Sequence, residues 1–384
     1  MTLLQRYERP FYGDEHRQFA ATLREFVTRE IEPFVAAWEE RKEFPRELYA
    51  RAAEVGLLPV GFPEDVGGVP ADLFHTIVAA QELARAGSGG LSASLMSHVI
   101  GLPPIVRHAR PELRARVAPE VLAGRRISAL AITEPSAGSD VASIQTTAQR
   151  RGDHYLVNGS KTFITSGMRA DFYTVAVRTG GPGHGGISLL VVERGTPGFS
   201  QTPLEKMGWW CSDTATLYFE DCRVPAENLL GRENEGFRYV MENFNSERIY
   251  MAAGCNGFSL ACLEEAVAYA RERKTFGTPL VEKQALRHRL VDMAMRIQAT
   301  QAYLETLAAR IEAGEKPVAD ICMLKNQATL TMEHCAREAV QMLGGAGYLR
   351  GPKCERIYRE VRVNAIGGGA EEIMRELAAR QLGL

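Results

Sequence analysis

The residue with the most unusual chemical setting is a glutamate on the apolar face of a helix. At 100° per residue, Glu247 lies on one stripe with Phe244 and Met251, at i+3 and i+4 spacing. Burying a carboxylate is costly unless it is paired or used, and burial raises its pKa towards the value that a general base needs near neutral pH. A buried ion pair with Arg248, or a helix edge wetter than the pattern indicates, explains the same residue without a catalytic role.

Three consecutive glycines near the end of the chain raise a second chemical question. Residues 366–374 read IGGGAEEIM, so the glycines stand where a helix is about to begin. Glycine supplies no side-chain chemistry, and the run therefore indicates either a hinge or a backbone segment that contacts a ligand closely. In the second case, another residue has to supply the reacting group.

The periodicity of the sequence predicts a helical region followed by a region of strands. Helical spacing predominates from about residue 13 to 125, with apolar residues such as Leu23 and Val27 on one face. Short β-prone segments separated by Gly, Pro and Asp follow from about residue 127 to 230. Within them, the dipeptide Asn158-Gly159 predicts a hairpin turn.

Helical periodicity returns after the strands and continues to the end. Asn234 is placed to cap a helix that runs to Gly277, and further helices are predicted at about 281–313, at 318–343 and after the triple glycine. We therefore predict an α+β protein with three domains. These are an N-terminal α-helical domain (1–126), a middle β domain that forms a small barrel or sandwich (127–233) and a C-terminal α-helical domain that resembles a four-helix bundle (234–384).

Composition and charge limit the classes of protein to which this chain could belong and indicate its compartment. Of the 384 residues, 24% are charged and 45% hydrophobic, as in ordinary globular proteins, and the net charge of −2 gives no basic footprint for nucleic acid. No apolar run is long enough to cross a bilayer, and the N-terminus lacks the features of a signal peptide. The seven cysteines are an odd, scattered set without metal-binding spacing. We expect buried free thiols, no metal site and a reducing cytoplasm.

Four ordered motifs resemble those of the acyl-CoA dehydrogenase family. They are LAITEPSAGSDVASIQTTAQ (130–149), VNGSKTFITSG (157–167), ERKTFG (272–277) and QMLGGAGYLR (341–350), and the resemblance spans essentially the whole chain. It implies the same three-domain fold, non-covalently bound FAD and a homotetramer built as a dimer of dimers. It also implies oxidation of an acyl-CoA thioester to the trans-2-enoyl-CoA, with hydride transfer to flavin N5 and with electron transfer flavoprotein as the electron acceptor.

The resemblance also assigns residues to the cofactor. Family members contact the flavin ring with the first two motifs and reach the FAD of a neighbouring subunit with the ERKTFG segment. The positions of this sequence that are expected to contact FAD are Leu130, Ile132, Thr133, Ser139, Phe163, Ile164, Thr165, Arg273, Thr275, Phe276, Gln284, Gln341, Gly344, Gly345, Ala370 and Glu372. Phe163 stands where many members have tryptophan and Ala370 where many have threonine, so each lacks one possible hydrogen bond.

The triple glycine bears on the identity of the catalytic base. Many family members carry a catalytic glutamate at the loop position that Gly368 occupies here. A branch that includes long-chain and isovaleryl-CoA dehydrogenases instead carries Glu-Arg in the long helix and a small residue in the loop, and NSERIYMAAG (245–254) resembles that arrangement. Glu247 is then the expected base for the α-proton, and the Gly368 backbone N–H is expected to donate to the thioester carbonyl. Further positions expected to contact the substrate are Ser139, Asn245, Arg248 and Gly369.

Other functions of the same superfamily stay open from the sequence. A paralogue that binds FAD and acyl-CoA without oxidising it explains the missing loop glutamate, although Glu247 argues against it. An acyl-CoA oxidase shares these motifs but usually carries an additional C-terminal domain, and a DNA-associated flavoprotein would need a basic region. Glu247 together with Gly368 favours medium-to-long or branched acyl chains, which leaves fatty-acid β-oxidation and branched-chain amino-acid breakdown both open.

Overall fold

The first part of the chain is helical, as its periodicity predicts. The structure, a computed structural model, describes residue 4 and residues 6–384. Within that part of the chain, the helices before the sheet are α1 (Asp14–Glu30), α2 (Val35–Arg41), α3 (Glu47–Glu54), α4 (Leu73–Ala84), α5 (Gly89–Leu95), α6 (His98–Gly101), α7 (Pro103–His108) and α8 (Pro111–Leu122). The predicted apolar face of α1 is buried at Leu23, Phe26 and Val27.

The strands of the middle region form one eight-stranded sheet. They are β1 (Ser128–Ala131), β2 (Thr147–Arg151), β3 (His154–Ile164), β4 (Phe172–Arg178), β5 (Ile187–Glu193), β6 (Phe199–Pro203), β7 (Ala215–Pro225) and β8 (Leu229–Leu230). The order is β6-β7-β3-β2-β4-β5-β8, and β1 pairs in parallel with β4. Tyr173, Val175 and Val177 of β4 pack into one apolar core, and Phe172 and Ala176 pack into another, so this strand is buried on both faces.

The predicted hairpin turn at Asn158-Gly159 is wrong. Both residues lie inside β3, and the turn between β2 and β3 contains Gly152 instead. Gly159 has a φ of +142° and lies at a shift in the register between β3 and β7. A Cβ at Gly159 would lie 2.7 Å from the Cα of Thr146. The glycine therefore permits a bulge and a close backbone approach, while the Asn158 amide and Asp221 exchange hydrogen bonds across the strands.

Long helices follow the sheet. They are α9 (Gly236–Glu272), α10 (Gln284–Glu312), α11 (Val318–Leu343), α12 (Lys353–Ile366) and α13 (Glu371–Leu382), and a hairpin of β9 (Lys274–Thr275) and β10 (Thr278–Pro279) lies between α9 and α10. The predicted bounds of α9 are wrong at both ends. Asn234 does not cap the helix, because it has a φ of +68° and Glu235 occupies the N-cap position. Gly277 lies in the turn of the hairpin rather than at the helix end.

Helix α9 connects the C-terminal helices to the rest of the molecule. The Asn243 side chain donates a hydrogen bond to the carbonyl of Ile100 in α6 at 3.1 Å. In the same short helix, a Cβ on Gly101 would lie 2.8 Å from the carbonyl carbon of Ala129 in β1, and the Thr174 hydroxyl donates to the Gly101 carbonyl at 2.8 Å. The helix that carries Glu247 is therefore fixed relative to the strand that leads into the first motif.

The succession of a helical region, a β region and a second helical region is confirmed. The boundaries at residues 126/127 and 233/234 stay predictions. All seven cysteines are buried and free, as the sequence predicts. Among the described residues, no single helix has the length and apolar character of a membrane span, and one bent pair, Gly89–Leu95 with His98–His108, meets the criteria by length and composition alone.

Candidate active site

Glu247 lies on α9, next to the loop that contains Gly368. Its side chain is half-buried, and within the described part of the chain it accepts no hydrogen bond and forms no ion pair. Burial raises the pKa of the Glu247 carboxyl to about 7, against the lowering effect of the charges on Arg248 and Lys325. On the same helix face two turns later, a Cβ on Gly254 would meet nothing within 4 Å. Surrounding protein therefore desolvates the carboxyl in part, and the same helix face is open two turns further along.

The structure does not contain the ion pair with Arg248 that was considered for Glu247. Arg248 does not pair with it, because its Nε donates to the carbonyl of Gly368 at 3.2 Å and its Nη1 donates to Asn245 Oδ1 at 3.3 Å. Phe244, Glu247 and Met251 are all half-buried, so this part of the helix face is more open than its apolar pattern indicates. Arg248 instead links α9 to the triple glycine.

The triple glycine brings backbone close to the Glu247 carboxyl. Gly368 and Gly369 have φ values of +65° and +105°, in the region that favours glycine. A Cβ on Gly368 would lie 2.6 Å from Met251 Sδ and 3.9 Å from Glu247 Oε1. A side chain in the loop would therefore overlap Met251 and contact the Glu247 carboxyl. Among the described residues, no protein group accepts a hydrogen bond from the Gly368 N–H.

The first two motifs meet where β1 and β3 end. The Thr162 N–H donates to the carbonyl of Thr133 at 2.8 Å, which joins the motifs directly. Phe163 has a φ of +60° and is 69% exposed, whereas Thr133 and Thr165 are half-buried. An aromatic ring and two hydroxyls therefore stay accessible beside this junction. The other predicted cofactor residues of these motifs lie on either side of it: Leu130, Ile132, Ser139 and Ile164.

A buried ion pair that the sequence analysis missed holds this junction. Lys161 Nζ donates to the Ile132 carbonyl at 2.9 Å and to Glu134 Oε1 at 2.8 Å. The Glu134 carboxylate also accepts from the backbone N–H groups of Gln145 and Thr146. Burial alone would raise the pKa of Glu134, but Lys161 and these hydrogen bonds hold it below its ordinary value. In the sequence, Glu134 lies in the first motif and Lys161 in the second. Opposite charges in two segments that must meet were the available indication of this pair.

The remaining predicted cofactor positions lie apart from the β1–β3 junction. Within the described residues, no hydrogen bond or ion pair connects them to that junction, and Phe276, at the tip of the hairpin, is fully exposed. They belong to the hairpin and the start of α10 (Arg273, Thr275, Phe276 and Gln284), to the end of α11 (Gln341, Gly344 and Gly345) and to the start of α13 (Ala370 and Glu372). Their contact with a cofactor stays a prediction.

The accessible groups at the β1–β3 junction fit the chemistry of FAD. An isoalloxazine ring needs an apolar surface together with hydroxyl and backbone hydrogen-bonding groups at its polar edge, and Phe163, Thr133 and Thr165 provide this combination. A Cβ on Gly138 would meet Thr133 Cγ2 at 3.8 Å and nothing nearer, so the backbone of the first motif is open to a ligand. The residues present are therefore compatible with the predicted cofactor.

His16, Asp72 and His75 form a cluster that the sequence did not indicate. Their ligand atoms all lie within 4.8 Å of one another. The Gly13 N–H points at His16 Nδ1 from 2.9 Å, so the ring proton is on Nε2, which faces Asp72 Oδ1 at 3.0 Å. Asp72 also caps α4, so the cluster is a hydrogen-bonded joint between α1 and α4.

Family models match the chain in the order of its three regions. The acyl-CoA dehydrogenase N-terminal domain matches residues 13–125, the acyl-CoA dehydrogenase middle domain matches residues 129–222, and the acyl-CoA dehydrogenase C-terminal domain matches residues 234–383. The matches follow the helical, β and helical regions of the structure.

Individual relatives match over almost the full length. The mitochondrial long-chain specific acyl-CoA dehydrogenase of Rattus norvegicus is 37% identical over 97% of this chain and 88% of its own. The mitochondrial isobutyryl-CoA dehydrogenase of Bos taurus is also 37% identical, over 96% of this chain and 89% of its own.

Solved structures agree with these relatives. An acyl-CoA dehydrogenase from Geobacillus kaustophilus superposes with a TM-score of 0.93 at 38% identity, covering 99% of this chain and 100% of its own. A glutaryl-CoA dehydrogenase from Mycobacterium smegmatis in complex with FADH2 superposes with a TM-score of 0.90 at 25% identity, covering 97% of this chain and 95% of its own. The chain belongs to the acyl-CoA dehydrogenase family, a family of oxidoreductases.

Replacing the middle glycine tests the packing of the loop against α9. In Gly368→Ala, the new Cβ would meet Met251 Sδ in a backbone conformation that alanine disfavours. We expect a loss of about 1–3 kcal/mol in the free energy of unfolding, measured by chemical denaturation. The control is Gly181→Ala, because a Cβ there meets nothing within 4 Å. Equal stability of both variants and the wild type would contradict the described packing.

Proposed function

We propose that the protein catalyses the FAD-dependent α,β-dehydrogenation of an acyl-CoA thioester to the trans-2-enoyl-CoA. Glu247 acts as the general base for the α-proton, and the Gly368 N–H stabilises charge on the thioester carbonyl oxygen. The observation that carries this proposal is the Glu247 carboxyl, which has no partner among the described residues and lies close to Gly368.

The electrostatic setting of Glu247 suits a base that works near neutral pH. An α-proton of a thioester is weakly acidic, and an ordinary surface glutamate is too weak a base to remove it efficiently. Burial raises the pKa of Glu247 to about 7, so its ionised form is both populated near neutral pH and more basic. No hydrogen bond has to break before this carboxylate accepts a proton.

Gly368 supports the second part of the proposal because its N–H is not engaged by another described residue. A backbone donor needs no side chain, and the charge that develops on a carbonyl oxygen needs donors that are already in position. Arg248 holds the Gly368 carbonyl, and Asn245 holds Arg248, so both predicted substrate residues on α9 support the loop. Ser139 and Gly369 complete the set assigned to acyl-CoA.

When bound, FAD supplies the two-electron oxidation by accepting hydride from the β-carbon. Thr133, Phe163 and Thr165 are the residues that would hold its ring, and the buried Lys161–Glu134 pair keeps their two segments together. Support comes from the accessible groups at this junction and from the relative of known structure that contains FADH2.

The acceptor, the assembly and the substrate are parts of the same proposal. Electrons pass to electron transfer flavoprotein, as the family resemblance implies, and a homotetramer would cover exposed apolar side chains such as Val291 and Met295 on α10. Relatives named for long-chain and isobutyryl substrates support long or branched acyl chains.

Removing the carboxylate tests the assignment of the base. The purified flavoprotein and its Glu247→Gln variant are titrated anaerobically with a panel of acyl-CoAs while flavin absorption is recorded. We expect bleaching in the wild type, a loss of at least about 10³-fold in its rate in the variant, and retained acyl-CoA binding. Glu264→Gln makes the same change elsewhere on α9 and should bleach like the wild type.

Bleaching of Glu247→Gln at the wild-type rate would contradict the role of Glu247. Spectral perturbation without bleaching in the wild type, for every acyl-CoA, would contradict dehydrogenation itself and favour a protein that binds acyl-CoA without oxidising it.

The pH dependence of flavin bleaching gives a second test. The ionised form of Glu247 is the active one and its pKa is about 7, so the rate should rise from about pH 5.5 to about pH 8 with a midpoint near 7. Rapid mixing under single-turnover conditions measures this rate without the electron acceptor. A rate that is constant across this range while the chemical step is limiting would contradict the raised pKa.

A further inference from the structure

Lys325 is a buried cation next to the triple glycine. It lies in α11 with 0% of its surface exposed, and within the described part of the chain it forms no ion pair. Its Nζ donates to the Gly369 carbonyl at 2.8 Å and to the Ala365 carbonyl at 3.3 Å. Burying an unpaired cation is costly, so these two carbonyls are the groups that the ammonium is placed to bind.

The two carbonyls lie on either side of the loop that contains Gly368. Ala365 is in the last turn of α12, where carbonyl groups have no partner within the helix and the helix dipole favours a cation. Gly369 lies two residues before the start of α13 and has a φ of +105°. Arg248 donates to the carbonyl of Gly368, which lies between them. Two cationic side chains therefore bind three carbonyl groups in the five residues 365–369.

This arrangement fixes the peptide planes next to the Gly368 N–H. Glycine at positive φ has wide conformational freedom, and a triple glycine would move between several backbone states without external contacts. The Lys325 ammonium and the Arg248 guanidinium restrict the loop through its carbonyls, which leaves the Gly368 N–H free. Asn326, the next residue on α11, donates to the carbonyl of Glu371 at 2.9 Å and holds the start of α13.

The charge of Lys325 also acts on Glu247. The ionisable and charged groups that face Lys325 are Glu247, Arg248 and Cys255 on α9, Cys322 on α11 and Glu371 at the start of α13, whereas α12 presents the Ala365 carbonyl. Burial lowers the pKa of Lys325 to about 8, so the side chain remains largely protonated at neutral pH. The positive charges of Arg248 and Lys325 both favour the ionised form of Glu247.

We propose that Lys325 is a positioning residue for the reaction, which holds the glycine loop in its donor conformation and favours the carboxylate form of Glu247. This inference rests on the proposed function for its second half. The first half concerns the loop alone and can be tested without turnover.

The test compares Lys325→Met and Lys325→Gln with the wild-type flavoprotein in two measurements. The first is amide hydrogen exchange of residues 366–370, and the second is the pH midpoint of flavin bleaching by acyl-CoA. Loss of a hydrogen bond to a charged group should speed exchange in Lys325→Met by about tenfold or more. The pH midpoint should rise in both variants, because each lacks the positive charge.

Lys325→Gln keeps a donor and should protect the loop better than Lys325→Met, and it decides the test if the methionine variant does not fold. The control is Lys316→Met, an exposed lysine just before α11, which should match the wild type in both measurements. Wild-type exchange and a wild-type midpoint in the Lys325 variants would overturn the inference. If none of the acyl-CoAs bleaches the flavin of the wild type, the proposed function has failed. In that case, wild-type exchange in the Lys325 variants would still overturn the inference that Lys325 holds the loop.

Discussion

The proposed chemistry of this protein depends on the desolvation of one carboxyl group. Glu247 has no hydrogen-bond or ion-pair partner within the described residues, and burial raises its pKa to about 7. Between the ordinary pKa of a glutamate and this value, the folded protein holds a proton that the unfolded chain has released, so the contribution of Glu247 to stability falls as the pH rises. A carboxyl that weakens the fold when ionised is retained most readily where its basicity is used.

The glycine loop and the glutamate are close neighbours. A Cβ on Gly368 would lie 2.6 Å from Met251 Sδ and in van der Waals contact with Glu247 Oε1 at 3.9 Å, so the glycine keeps side-chain atoms away from both groups. Glycine also permits the positive φ that the loop requires. Arg248 and Lys325 bind the carbonyls of this loop and act through their charges on Glu247. The same two cations therefore restrict the conformation of the loop and favour the ionised form of Glu247.

The sequence predicted the features that arise from periodicity and missed those that arise from contact. The three regions and the unusual position of Glu247 follow from helical and strand spacing, which each segment carries locally. Asn158-Gly159 is a turn signal by composition, but the pairing of β3 with β7 places it within a strand, where Gly159 permits a bulge. Lys325 was missed because a lysine in a helix is ordinarily exposed, and its carbonyl partners lie about forty residues further along the chain.

The most direct test of the central claim separates proton abstraction from the redox step. An acyl-CoA in excess over flavin is incubated anaerobically in D2O with the holoenzyme, and deuterium uptake at its α-carbon is followed by mass spectrometry. We expect uptake with the wild type, no uptake above the uncatalysed rate with Glu247→Gln, and uptake with Glu264→Gln as in the wild type. Equal uptake with and without the Glu247 carboxylate would contradict its role as the base.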